Sequence, residues 1–214
     1  MKGSKGCFFH YILPSVLLSI GALVAFFLVD RPLLSWVASL KIEHCLCLRL
    51  LSYIICPTSL IIGVGCMYLF VRFLTSRAVS APLFEIVITQ CCSFAVTSAT
   101  KIVSGRARPN MFFEDGIYGF YGFHLDTHYH SFPSGHTLST FALATSLSLL
   151  FPRYHLHCYL TAALISLSRL LIIKHYLSDI LEAASIGIII AMIVHFNLGR
   201  VIKYTKYHEA TSFR

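Results

Sequence analysis

Long apolar runs separated by short polar junctions dominate the chain, and their lengths set its elements. The first run covers about residues 9–29 and stops at Asp30-Arg31-Pro32. A short amphipathic connection leads to a second run near 51–74 with Pro57 inside it, a third near 82–103 and a fourth near 135–151. The stretch 158–199 is apolar almost throughout. As one helix it would extend roughly 60 Å, twice the thickness of a bilayer's hydrocarbon core. It therefore divides into two spans, 158–173 and 178–199, with a turn at the polar cluster Lys174, His175, Ser178 and Asp179. The pattern predicts an all-α, integral membrane six-helix bundle, a single domain over residues 1–214 with an outer loop at 104–133. Lys2 and Lys5 ahead of the first run imitate a secretory signal, but the run exceeds a signal core and ends without a small-residue cleavage site. It is expected to be retained as a span.

Composition agrees: 57% of the 214 residues are hydrophobic and 12% charged, against about 25% charged in soluble domains. The net charge of +8 does not point to nucleic acid. The basic residues lie between apolar runs and in the tail (Arg200, Lys203, Lys206, Arg214), as lipid-surface anchors do. The eight cysteines fall mostly inside apolar runs with no CxxC pair, the usage of small apolar fillers rather than a disulfide frame or metal site. With the N-terminus inside, Lys2, Lys5, Arg72, Arg77, Arg153 and the four tail residues lie on the inner side, while Arg31, Lys41 and Arg49 remain as outer anchors. By the positive-inside rule both termini are cytoplasmic, provided the cations of the two polar junctions are set aside for chemistry.

Those junctions, Lys101 to His136 and Arg169 to Asp179, hold nearly all the unusual polar residues. Two crossings separate them, so they emerge on the same side of the membrane. The residue types suit a phosphate. Lys101, Arg108 and Arg169 can neutralise a phosphomonoester, the arginines through bidentate contacts. Ser134 is placed to cap the fourth helix, and its free amides, with Gly135 permitting close approach, form an anion site. His175 and Asp179, four apart, would share a helix face, the carboxylate holding one imidazole nitrogen protonated and leaving the other to attack phosphorus. His136 can then protonate the leaving oxygen.

Lys101-x6-Arg108-Pro109, Pro133-Ser134-Gly135-His136 and Ser168-Arg169-x5-His175-x3-Asp179 resemble, in order, the three signature motifs of the type 2 phosphatidic acid phosphatase superfamily, which also contains vanadium haloperoxidases and bacterial acid phosphatases. The resemblance implies a helical bundle, a phosphohistidine formed on His175, His136 as acid and Asp179 as its orienting partner. It also implies Lys101, Arg108, Arg169, Ser134 and Gly135 as phosphate ligands, with no metal and no cofactor. The expected activity is removal of phosphate from a lipid in the bilayer, with no obligate protein partner. Undecaprenyl diphosphate, phosphatidylglycerol phosphate, phosphatidic acid and lipid A 1-phosphate are candidate substrates. An isoprenyl diphosphate is favoured, in a bacterial inner membrane with the site facing the periplasm. Rival readings are a phosphotransferase using the same histidine, a haloperoxidase, and a non-catalytic transporter or scaffold.

The loop 110–132 carries Glu114, Asp115, His124, Asp126, His128 and His130 among many aromatics. It reads as an interfacial lid, the alternatives being a solvated loop or a metal site. Arg106 is left between a second phosphate contact and a lipid anchor, and Glu182 is placed to buttress Asp179.

Overall fold

The structure is a computed structural model that describes residues 2–54, 62, 63, 65–68, 70, 72, 75 and 80–212. Helix α1 (Lys2–Val24) runs into a single π-helical turn (Ala25–Val29) and continues as α2 (Asp30–Ser39). Pro32 explains the irregularity. It has no N–H, and its ring crowds the carbonyl of Leu28 one turn earlier, so the helix opens locally instead of stopping. A 3₁₀ turn (Ile42–His44) and α3 (Leu46–Ile54) follow. Beyond these come α4 (Ala81–Ser104), α5 (Pro109–Asp115), α6 (Gly135–Leu150), α7 (His155–Leu171) and α8 (Leu177–Ser212). Apart from isolated bridges pairing Arg106 with Phe120 and His130, the described residues form no strand.

Helix α8 is the axis. It packs most extensively against α6 and α1, while α6 also receives α7 and α4. The α6–α8 crossing is close because Gly187 has no side chain: a Cβ there would sit 2.5 Å from the Leu138 carbonyl oxygen and 3.0 Å from the Ala142 nitrogen. Small residues let backbones approach in membrane bundles, where packing and not water expulsion joins helices. Around that crossing, Leu138, Ala183, Ile190 and Val194 form one core cluster, flanked by Ile88, Cys92 and Val96 of α4. The second cluster, Leu34, Val37, Ile173 and Tyr176, lies between α2 and the α7–α8 turn, with Phe112 and Tyr118 packed on it. Leu13, Leu17 and Ile20 along α1, and Phe27 in the π-helical turn, are exposed. Such a face suits hydrocarbon, not water.

Among the described residues three helices are long and apolar enough to cross a membrane: Tyr11–Ser39, Ala81–Ser104 and Leu177–Leu198. The described residues are all-helical, and the chain is a membrane protein. The spans expected at 135–151 and 158–173 correspond to α6 and α7, which at 16 and 17 residues are short of the roughly 20 that a full crossing takes. The span expected at 51–74 lies largely outside the described residues. Helix α8 runs past the expected boundary at 199 to Ser212.

The turn expected between the last two spans is found at 172–176. No glycine or proline marks it, because Ile173 itself adopts the left-handed conformation (φ 56°). The Lys174 N–H donates to the Arg169 carbonyl at 3.1 Å and the Ile173 N–H to the Leu170 carbonyl at 2.9 Å. This pair of bonds is the Schellman closure, in which glycine usually takes the left-handed position. For a β-branched residue that conformation is strained. Burial of the Ile173 side chain against Leu34, Val37 and Tyr176 offsets the cost.

Candidate active site

The residues singled out by the two polar junctions meet at one end of the bundle. Lys101 stands in the last turn of α4, and Gly105 beyond it closes the helix at φ 52°. No other residue fits there, since a Cβ would lie 1.8 Å from the Gly122 carbonyl oxygen. Ser134 is the N-cap residue of α6 and Gly135 its first residue. The Ser134 hydroxyl, however, makes no capping bond; it accepts from the Thr137 hydroxyl at 3.1 Å. A Cβ on Gly135 would fall 3.6 Å from Lys101 Nζ and 3.2 Å from a Thr97 methyl. The ammonium therefore lies over the start of α6. His136 follows, half-buried, and lies within electrostatic reach of His175, Arg169 and Lys101. Arg169, 6% exposed, closes α7. Arg108 donates from Nε to the Thr127 carbonyl at 2.9 Å, and burial lowers its pKa although Asp179 opposes the shift.

His175 departs from the expected arrangement. It precedes α8 and does not share a helical face with Asp179. Its Nδ1 is 2.8 Å from the Ser131 carbonyl oxygen and 3.7 Å from Asp179 Oδ2. A carbonyl can only accept, so Nδ1 carries the proton and Nε2 keeps its lone pair. The tautomer is set by the backbone of the loop, and the carboxylate acts through charge. Burial drives the His175 pKa down to about 4, with Asp179 opposing and Arg169 and Lys101 reinforcing the shift.

Asp179 is fully buried and held on all sides. It accepts from Arg106 Nη1 at 2.5 Å, from the Ser131 hydroxyl at 2.7 Å and from the Tyr176 N–H at 2.9 Å. Arg106, not Glu182, is its charged partner. Arg106 is neither a surface anchor nor a phosphate contact: it is 0% exposed and caged by the rings of Phe26, Tyr118, Phe120 and Tyr176 at 4.7–5.8 Å. Its second carboxylate is Asp30 at the start of α2, 2.6 Å from Nη2. Burial alone would lower the Arg106 pKa; Asp179 and Asp30 reverse this and raise it.

A cavity of about 650 Å³ opens onto this end of the molecule, lined by Ile62, Cys91, Phe94 and Thr97 along one side and by Lys101, Gly135 and His136 at its head. Its lining is mostly hydrocarbon. Among the described residues no group of three or more His, Cys, Asp or Glu side chains is arranged to hold a metal ion. His128 and His130 in the loop do not pair: His130 Nε2 bonds the His124 carbonyl at 2.9 Å. Aromatic pairs such as Tyr121–Tyr129 and Phe120–Phe132 pack the loop on itself.

The model of the PAP2 superfamily matches residues 81–201, more than half of the chain and every candidate site residue from Lys101 to Asp179. The chain belongs to the PAP2 superfamily. Within that superfamily it is similar to a lipid A 1-phosphatase of Rhizobium etli, 30% identical over 128 residues that cover 58% of this chain and 54% of the relative. It is also similar to a lipid A 1-phosphatase of Rhizobium johnstonii, 34% identical over 87 residues that cover 41% and 36%. The chain thus spans about half or less of the length of these curated relatives. A crystal structure described as the first transmembrane PAP2 type phosphatidylglycerolphosphate phosphatase, from Bacillus subtilis, aligns over 94% of this chain and 98% of that one. The TM-score is 0.35 and the identity 14%.

Two contributors escaped the sequence motifs. Ser131 acts partly through its backbone carbonyl, which no side-chain pattern encodes. Asp30 lies about seventy residues ahead of the first motif, and its one signal was a carboxylate at the end of an apolar run.

Proposed function

We propose that this PAP2 protein is a membrane lipid phosphatase that hydrolyses a phosphomonoester or diphosphate headgroup through a phosphohistidine on His175. One observation carries the reading: a single cavity has hydrocarbon walls and, at its head, the Lys101 ammonium over the first residue of α6, with His136 beside it. A lipid phosphate has the same polarity along its length.

In this mechanism Lys101, Arg108 and Arg169 neutralise the phosphate, and the start of α6 at Ser134 and Gly135 offers backbone amides. The neutral Nε2 of His175 attacks phosphorus as the bond to the lipid oxygen breaks. His136, whose charged form the arriving dianion favours, gives that oxygen a proton. Water, deprotonated by the same imidazole, then attacks the phosphohistidine and releases inorganic phosphate. Asp179 supports the positive charge that develops on His175. Both protein groups return to their starting states, and no metal enters.

The names of the curated relatives favour lipid A 1-phosphate over the isoprenyl diphosphate that the layout alone favoured. The remaining reading is a single membrane-embedded domain of six spans in a bacterial inner membrane, termini cytoplasmic and cavity at the periplasmic headgroup level. The test is phosphate release by detergent-purified protein in EDTA from lipid A 1-phosphate, phosphatidylglycerol phosphate, phosphatidic acid and undecaprenyl diphosphate. Release from at least one, abolished in His175→Ala and inhibited by orthovanadate, is the expected result. Strict dependence on a divalent ion would overturn it.

A further inference from the structure

Asp30 is 1% exposed and belongs to a helix outside residues 81–201, the segment matched by the family model. Its carboxylate nevertheless reaches the centre of the site. Oδ1 accepts from the Ser178 N–H at 3.0 Å, so it caps the first turn of α8 from a remote helix. Oδ2 accepts from Arg106 Nη2 at 2.6 Å and from the Ser178 hydroxyl, with Tyr118 Oη at 3.1 Å. Arg106 Nη1 in turn holds Asp179 and the Ser178 hydroxyl, at 2.5 and 2.8 Å. The guanidinium is a bridge between two carboxylates, one of which faces His175.

A second observation points to the same residue. The π-helical turn Ala25–Val29 ends immediately before Asp30. Inserted turns of this kind rotate the residues that follow them and recur at functional sites. Here the Phe26 carbonyl within that turn accepts from Tyr118 Oη at 2.6 Å, which locks the turn to the same cluster.

Counting charges shows what Asp30 adds. One guanidinium against two carboxylates leaves one net negative charge buried beside the imidazole. Without Asp30, Arg106 would neutralise Asp179 outright, and the positive charge that forms on His175 during phosphoryl transfer would lose its counter-ion. We propose that Asp30 is a positioning residue for the His175–Asp179 pair: reaching in from the N-terminal helix, it fixes Arg106 and the start of α8 and keeps the cluster one charge negative. The inference rests on the phosphohistidine reading above.

Kinetics of the full chain in detergent, on whichever of the four lipids is hydrolysed fastest, test it. The groups that act on His175 are Asp179 of α8, Arg169 of α7, Lys101 of α4 and His136 of α6, and none is altered. In Asp30→Asn, kcat is expected to fall roughly 10²-fold, the scale of a 1 Å misplacement, with KM little changed. The acid limb of the pH profile should move to lower pH, because an imidazole beside a neutralised cluster is harder to protonate. In the double variant Asp30→Asn/Arg106→Met the net charge of −1 is restored, and the limb should return to its wild-type position. Unchanged kcat in Asp30→Asn overturns the proposal, as does a loss of kcat with the limb unmoved, which would mark Asp30 as merely structural. Should Asp30→Asn not fold, the double variant decides alone: a limb at the wild-type pH supports the proposal and a displaced limb overturns it. An inactive wild type, or an active His175→Ala, shows earlier in the same series that the functional reading itself has failed, and the Asp30 proposal falls with it.

Discussion

At the scale of single residues, the proposed mechanism requires His175 to be neutral to attack and charged once it has attacked. Burial meets the first demand, since it lowers the imidazole pKa to about 4 from an ordinary 6.5. The buried carboxylate meets the second. The sign of the resulting pH dependence follows: a depressed pKa keeps the reactive neutral form present to lower pH. The acid limb of kcat/KM, which reports the free enzyme, should therefore lie near pH 4 once the substrate's own ionisation, with a second pKa of about 6, has been divided out. A limb at pH 6.5 would mean an imidazole in contact with water. The motif spacing singled out His175, Asp179 and Arg169 as candidates and required a turn between Arg169 and His175 or close by. It could not show that Nδ1 bonds a carbonyl 44 residues upstream, because a backbone acceptor has no residue type.

Among elements, the α6–α8 crossing does most to hold the site together. Helix α6 carries Gly135 and His136, α8 carries Asp179, and they meet at Gly187 with backbone atoms of Leu138 and Ala142 in the way of any Cβ. Gly187→Ala has to push the helices apart, at a cost of about 1–3 kcal/mol for overpacking. We expect a lower melting temperature in detergent, and a loss of kcat larger than this instability explains, since both halves of the site shift. Unchanged melting and activity would show that the crossing is looser than described. The apolar runs at 82–103, 135–151 and 158–173 fall on α4, α6 and α7. They missed the continuation of α1 through a π turn into α2, because Pro32 and the charges of Asp30 and Arg31 look like a stop. Burial of Asp30, Leu34 and Val37 carries the helix onward.

For the whole molecule, the question is which end faces which compartment. The connection at Ile42–Cys45 lies at the same end as the site, since Glu43, His44 and Arg49 line one cavity with Asn110 and Lys174. Cys45 there is exposed. In a variant whose only cysteine is Cys45, a membrane-impermeant maleimide should label intact spheroplasts if the site faces the periplasm. A variant whose only cysteine replaces His155, exposed at the other end of α6 and α7, should react only after lysis. The reverse pattern would invert the proposed topology and place the chemistry in the cytoplasm.

The sequence by itself determined that the chain is a helical membrane protein, and it named the eight residues expected to bind and transfer phosphate. Hydrophobic run length and residue type are local properties, readable one segment at a time. Only the tertiary structure decided how those residues are held: that Asp179 answers to Arg106, that Arg106 answers to Asp30, and that the loop backbone sets the His175 tautomer. A buried charge is stabilised by whichever partner comes near it in space, and Asp30 and Ser178, hydrogen-bonded to each other, are 148 residues apart in the chain.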